Sequence, residues 1–311
     1  MTSKPNEYPL MADTRSYLQQ IGLPQGDLND LPDSPHRFPD GKSFRIEIPT
    51  INSVGACMAA LEESNKLGIQ INRITETLGI FRHLKREITE WLKGCNDYGC
   101  ELLMSPGPRA TYDTSATALT AQGSRIGYRL RGQEQLVRAI TDVRRAIDLG
   151  VNGFLIYDEG MLSVLSRMRH DGKMPKDTHF KVSAHCGHAN AASCQMLWNL
   201  GADSINPVRD LQLPMIASIR AAVPIPLDIH TDNPPSSGGF IRAYEASEIV
   251  RIAAPVHLKT GNSVLSGHGE ATTADDARRM VRQAALTIEM IEELAPTLQQ
   301  SKSRVLSPVP V

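Results

Sequence analysis

A chain of 311 residues, 41% hydrophobic and 22% charged, buries a substantial core either as one large α/β domain or as two smaller ones. Its 33 basic and 34 acidic side chains leave a net charge of −1, which provides no basic field for nucleic acid and no polybasic membrane signal. A small, polar molecule is the default partner.

The N-terminal "MTSKPNEYPLMADTR" lacks the apolar core of a signal peptide, and no apolar run approaches the ~20 residues of a membrane-spanning helix. Residues 1–43 are dense in Pro, Asp and Gly, a composition that forms turns, and read as an irregular arm lying on the domain. From Phe44 the texture changes. Short β-rich runs are predicted at 44–50, 70–77, 100–106, 153–158, 179–184, 203–207, 225–231 and 255–259. Between them lie helical patterns such as "SVGACMAALEESNKLG", "QLVRAITDVRRAIDLG" and "NAASCQMLWNLGAD", several ending in the Gly that suits a helix C-terminus. A last amphipathic pattern opens with "TTADD". Strand–helix alternation repeated eight times is what a (β/α)8 TIM barrel requires, here spanning residues 44–295 and followed by a flexible tail at 296–311. No Gly-rich fingerprint follows the first strand, so a doubly wound sheet with a nucleotide cofactor is the weaker alternative. The long connection 107–132 after the third strand reads as a lid, a contact in a homo-oligomer, or a plain surface excursion.

Alternation inside the strands then sorts the polar residues. If the apolar positions face the helices, the lumen receives Arg45 and Glu47, Tyr157, Lys181, Ser204 and Asn206, Asp228 and His230, and His257 and Lys259, with His185 just beyond the fifth strand. Barrel interiors are ordinarily filled by branched apolar side chains, and buried charge is costly unless paired. One explanation is a self-neutralising core, with Glu47 against Lys181 and Asp228 against Lys259. The other is a site. Asp228 and His230 share a strand face and, with His185 or Glu47, are candidate ligands of a divalent metal. His185 and His188 of "HCGH" diverge unless a turn joins them, so one of them is the expected ligand. Asp232, in "DNPP", reads as a turn residue. Lys259 or Lys181 is a candidate imine-forming amine, and Lys259 or His185 a candidate proton carrier. Arg109 and Arg209 follow strands three and six, at the face where barrel enzymes keep their chemistry, and suit a carboxylate or phosphate. With Tyr157, Asn206 and His257 they make up the expected substrate contacts. Glu159, at the start of a helix, reads as structural.

The run "FLIYDEGMLSVL", followed after the next strand by "AHCGHANAASCQMLWNLGADSINPVRDLQLPMIASIR", resembles the core of U-type peptidase family 32, the collagenase-like peptidases. That family pairs a "DPGL"-type turn with an Asn-led helix and then a strand ending in an Arg–Asp/Glu–Leu element. The matching positions are Asp158, Gly160, Asn190, Arg209, Asp210 and Leu211. The resemblance implies a TIM-barrel-like domain and makes hydrolysis the first activity to test. Members similar to RNA- or quinone-hydroxylation proteins hold an iron–sulfur cluster on four cysteines. Here Cys57, Cys95, Cys100, Cys186 and Cys194 offer no such grouping and no C-x-x-C pair, which argues against a cluster, a zinc ribbon and a secreted disulfide scaffold. A reducing cytoplasm is the expected location. The reading therefore leads with a hydrolase on a small polar or anionic substrate. An aldolase or isomerase acting on a carbonyl is the alternative enzyme, and a non-catalytic ligand-binding or assembly subunit the alternative class.

Overall fold

The computed structural model describes residues 10–107, 120, 129–267 and 271–302. Among these, eight parallel strands close into a barrel in sequence order: β1 (Phe44–Pro49), β2 (Arg73–Thr75), β3 (Glu101–Met104), β4 (Gly153–Ile156), β5 (His179–Val182), β6 (Ser204–Ile205), β7 (Leu227–His230) and β8 (Val256–Lys259), with β8 paired back to β1. The (β/α)8 expectation holds. Several strands are shorter than predicted because their flanking polar residues have other partners. Asn72 is withdrawn from β2 and receives the amide of Ile46 at its side chain, and Asp203 before β6 receives Arg169 and the amide of Phe180.

A helix precedes the barrel and one follows each strand: α1 (Ala12–Gln20), α2 (Val54–Lys66), α3 (Lys85–Asp97), α4 (Gly132–Ile147), α5 (Glu159–His170), α6 (Ala191–Asn199), α7 (Leu213–Ala222), α8 (Ala246–Ala253) and α9 (Ala274–Leu294). Their starts follow from side-chain chemistry. Asp158 and Asn190 accept the amides of Met161 and Ser193 at 2.9 Å each, satisfying donors that the first helical turn leaves open. Thr273 and Asp276 cap α9 reciprocally. Thr273→Ala should therefore cost about 1 kcal/mol, read as a lower urea midpoint at unchanged m-value. None of the helices in the described residues is long and apolar enough to cross a membrane.

Outward strand residues Ile46, Ile48, Ile74, Phe154, Phe180, Val182, Leu227, Val256 and Leu258 join the helices in one core, which leaves the alternate residues for the lumen. Described segments on both sides of the barrel sequence, around Phe38 and Ser301, close the barrel floor. The arm is not wholly irregular, since Ala12–Gln20 is helical, although none of that helix is buried. Further along, Phe38 is buried against His257 (centroids 5.4 Å apart, edge-on) and beneath the guanidinium of Arg45. The segment expected as a loose tail is also anchored as far as Ser301. Its amide donates to the Phe44 carbonyl at 2.8 Å, its own carbonyl accepts from Asn72, and its hydroxyl oxygen accepts from Arg45. These bonds satisfy polar groups of β1 and β2 that face no other strand end. Residues 303–311 and most of the 107–132 connection, including Arg109, lie outside the described residues.

Candidate active site

The lumen is a layered ion network. Arg73 on β2, fully buried, donates to Glu101 at 2.6 Å and to Asp228 at 2.9 Å, and lies 3.6 Å from Glu47. Lys181 is hydrogen-bonded to Glu47 and stands 3.3 Å from Asp228. Lys259 lies 3.3 Å from the other oxygen of Glu47 and donates to Asn206 Oδ1 at 3.0 Å, while Thr75 donates to Glu47 at 2.8 Å. The self-neutralising pairing of Glu47 with Lys181 is present. Asp228, however, pairs with Arg73 and Lys181, and it is Glu47 that takes Lys259.

Burial and charge set the protonation states. Burial pushes the Glu47 carboxyl up, but Lys181, Lys259 and Arg73 together pull it well below the usual carboxylate range. Asp228 shifts upward because desolvation, aided by Glu47, outweighs its cationic neighbours. For Lys259, desolvation and the neighbouring charge of Lys181 bring the ammonium down to about 7. His230 is depressed well below the ordinary imidazole value by burial, Lys259 and Arg209, so its ring is neutral at pH 7. The same forces lower His257, chiefly burial and then Arg73 and Arg45.

Above the network, at the C-terminal face, a narrow recess is lined by Tyr157, Ser183, His185, Asn206, Arg209, His230 and Lys259. Arg209 donates to His185 Nε2 at 3.0 Å, and the Tyr157 hydroxyl is donated to the Pro106 carbonyl at 2.6 Å. Neither ring nitrogen of His230 has a hydrogen-bond partner among the described residues, although the residue is only 2% exposed. An orphaned imidazole in a polar recess is a group in need of a ligand. β7 and β8 pair His230 directly with Lys259, which sets imidazole and amine side by side.

Thus the lumen expectations for Glu47, Lys181, Asn206, Asp228, His230 and Lys259 agree with their positions, and His185 and Arg209 join the recess. His257 does not. It precedes Lys259 by two residues, about 7 Å deeper along the strand, and sits on the floor beneath Asp228, 3.4 Å from that carboxylate, facing Phe38. The same stagger separates Asp228, in the buried network, from His230 at the mouth. Asp228, His230 and His185 are therefore not gathered as one metal-ligand set, and Asp228 Oδ1 is already held by Arg73 and Lys181. Asp232 is no loose turn residue: it is buried and accepts the amides of Gly261 and Ser263 at 2.9 Å each. Gly261 has φ +103°, and an added Cβ would strike the Met280 backbone. Asp232 therefore holds the turn that follows Lys259.

Arg73, Glu101 and His179, on β2, β3 and the first position of β5, also enter the lumen network and were not among the expected site residues. The signal was present in "NRIT", where Arg73 and Thr75 flank outward Ile74. His179 is buried, 3.3 Å from Arg73, and its imidazolium is pushed down to about 3 mainly by burial.

No family model and no curated protein matches the chain. Among solved structures, the YdjI aldolase from Escherichia coli K12 aligns over 83% of this chain and 94% of its own, at 12% identity and a TM-score of 0.50. The U32 peptidase Mk0906 aligns over 64% of this chain and 72% of its own, at 17% identity and a TM-score of 0.39. A D-psicose 3-epimerase aligns over 81% and 98%, at 12% identity and a TM-score of 0.46. At such identities the likeness speaks to architecture alone. What the closed eight-strand sheet and the YdjI alignment establish together is a TIM-barrel fold.

Proposed function

We propose that the protein is an enzyme of carbonyl chemistry, of the aldolase or isomerase type, in which Lys259 forms an imine with a small anionic substrate. The observation that carries this reading is the Lys259 amine itself: buried at the floor of the recess, beside a second cation, with its pKa lowered to about 7. An amine with so low a pKa is uncharged to a substantial extent at neutral pH, against about one in 2,500 for an ordinary lysine of pKa ~10.4. The neutral nitrogen attacks the substrate carbonyl carbon, the carbinolamine loses water to give the imine, and one proton taken up from solvent converts it to the iminium. His230, neutral and adjacent, accepts and returns the protons of these steps. Arg209 at the rim suits the carboxylate or phosphate of the substrate. The lumen carboxylates Glu47 and Asp228, expected as ligands of a hydrolytic metal inside the barrel, are instead engaged by cations.

The test is reductive trapping. Full-length protein incubated with pyruvate, glyoxylate or glycolaldehyde and cyanoborohydride should gain one adduct mass, mapped by peptide sequencing to Lys259 and absent in Lys259→Met. Adducts spread over exposed lysines, with Lys259 unmodified by any of the three, would sink the proposal.

A further inference from the structure

Beside the recess, the loops after β4 and β5 bring a second constellation together. Glu159, Cys186 and His188 each offer one ligand atom, and these atoms lie within 4.8 Å of one another; among the described residues it is the one such group of three His, Cys, Asp or Glu side chains. His188 Nε2 stands 2.6 Å from Glu159 Oε1. Gly187, at φ +81°, makes the turn that lets Cys186 and His188 face the same space, which is how "HCGH" supplies two donors. The second histidine of that motif, His188, is one of the pair; His185 belongs to the recess.

We propose that Glu159, Cys186 and His188 form a three-ligand site for a zinc-class divalent ion at the barrel rim. The donor set, one thiolate, one imidazole and one carboxylate, selects a borderline-soft ion over calcium or magnesium, which favour oxygen alone. Tetrahedral bonds of ~2.0–2.3 Å place ligand atoms roughly 3.3–3.8 Å apart, so small side-chain rotations bring the three to bonding distance. Three protein ligands leave the fourth position open. A cation is already accommodated there. Arg129 lies 2.7 Å from Glu159 and donates to the carbonyls of Tyr157 and Cys186 at 3.0 and 2.8 Å. The ion takes over Glu159 from Arg129, which keeps its backbone acceptors. Binding releases the Cys186 thiol proton to solvent, and the proton shared between His188 Nε2 and Glu159 moves to Nδ1, which frees Nε2 for the ion. Ion, thiolate and carboxylate then sum to zero charge.

Cobalt titration of the full-length protein reads this directly, because a Co²⁺–thiolate bond gives a near-ultraviolet charge-transfer band. One equivalent of Co²⁺ should raise that band, and Zn²⁺ should abolish it by displacement. Cys186→Ser should lose the band. His188→Gln, at a partly buried position on the barrel rim, should weaken binding at least about tenfold, the lower end of what even outer-shell changes cost. Arg129→Met should bind as tightly as wild type or more so. Absence of a thiolate band in folded wild-type protein overturns the proposal, as does a band that survives both Cys186→Ser and His188→Gln.

Discussion

Replacing Arg73 by Met should destabilise the protein by about 3–5 kcal/mol, the loss typical of breaking one side of a buried ion network. Arg73 is fully buried and is the sole guanidinium found between Glu101, Asp228 and Glu47 among the described residues. Methionine fills much of the same volume, so the loss comes from Glu101 deprived of its cation and from Asp228 left with Lys181, not from a cavity. Arg73→Lys keeps the charge but cannot reach Glu101 and Asp228 at once, so it should fall between the two. The deficit should shrink in acid. Glu47 is held well below the usual range and so contributes stability above the ~4.3 of a free glutamate, which is lost as pH falls through its folded value. Arg73 supplies part of that depression, so wild type and variant converge at low pH. Urea denaturation at pH 7 and in acid measures both; equal midpoints at pH 7 would remove the structural role assigned to Arg73.

Lys259→Met should abolish turnover and imine trapping while leaving the fold as stable as wild type or more so. Glu47 retains Lys181, Arg73 and Thr75 after the change, and the cost of burying an ammonium disappears. The sign with pH follows from the lowered pKa. Below about 7 the amine is charged in both states and wild type bears the full penalty. From there toward the ~10.4 of an unfolded lysine, the unfolded state binds the extra proton and wild-type stability rises. The stability advantage of Lys259→Met should therefore be greatest below pH 7 and fade above it. Imine formation by wild type should rise through pH 7 and level off, since only the neutral amine attacks. A non-catalytic ligand-binding or assembly subunit would show neither the trapping nor the rise.

Much of the barrel was legible because its signals are local. A β-run, a capping residue and a helical stripe each declare themselves within a few residues, as in "FLIYDEGM", where Asp158 both ends the run and caps α5. Period-2 alternation likewise placed Glu47, Lys181, Asp228 and Lys259 on the lumen side. Depth was not legible. His257 and Lys259 have identical alternation, yet one lies on the floor against Phe38 and the other at the recess, because position along the barrel axis depends on strand register and on which chain ends plug the bottom. Nor could the pairing be read. Asp228 meets Arg73, which is 155 residues distant in the chain, because closure of β8 onto β1 brings opposite strands to one lumen.

By itself, then, the sequence determined the strand–helix alternation, the polarity of the lumen and the identity of most groups in it, since each depends on neighbours a few positions away. Only the tertiary structure decided that Glu47 pairs with both lysines, that His230 is buried without a hydrogen-bond partner among the described residues, and that His188, not His185, stands beside Glu159 and Cys186. Those outcomes depend on distances between side chains from different strands and loops, and on the loss of water around them, which no local pattern encodes.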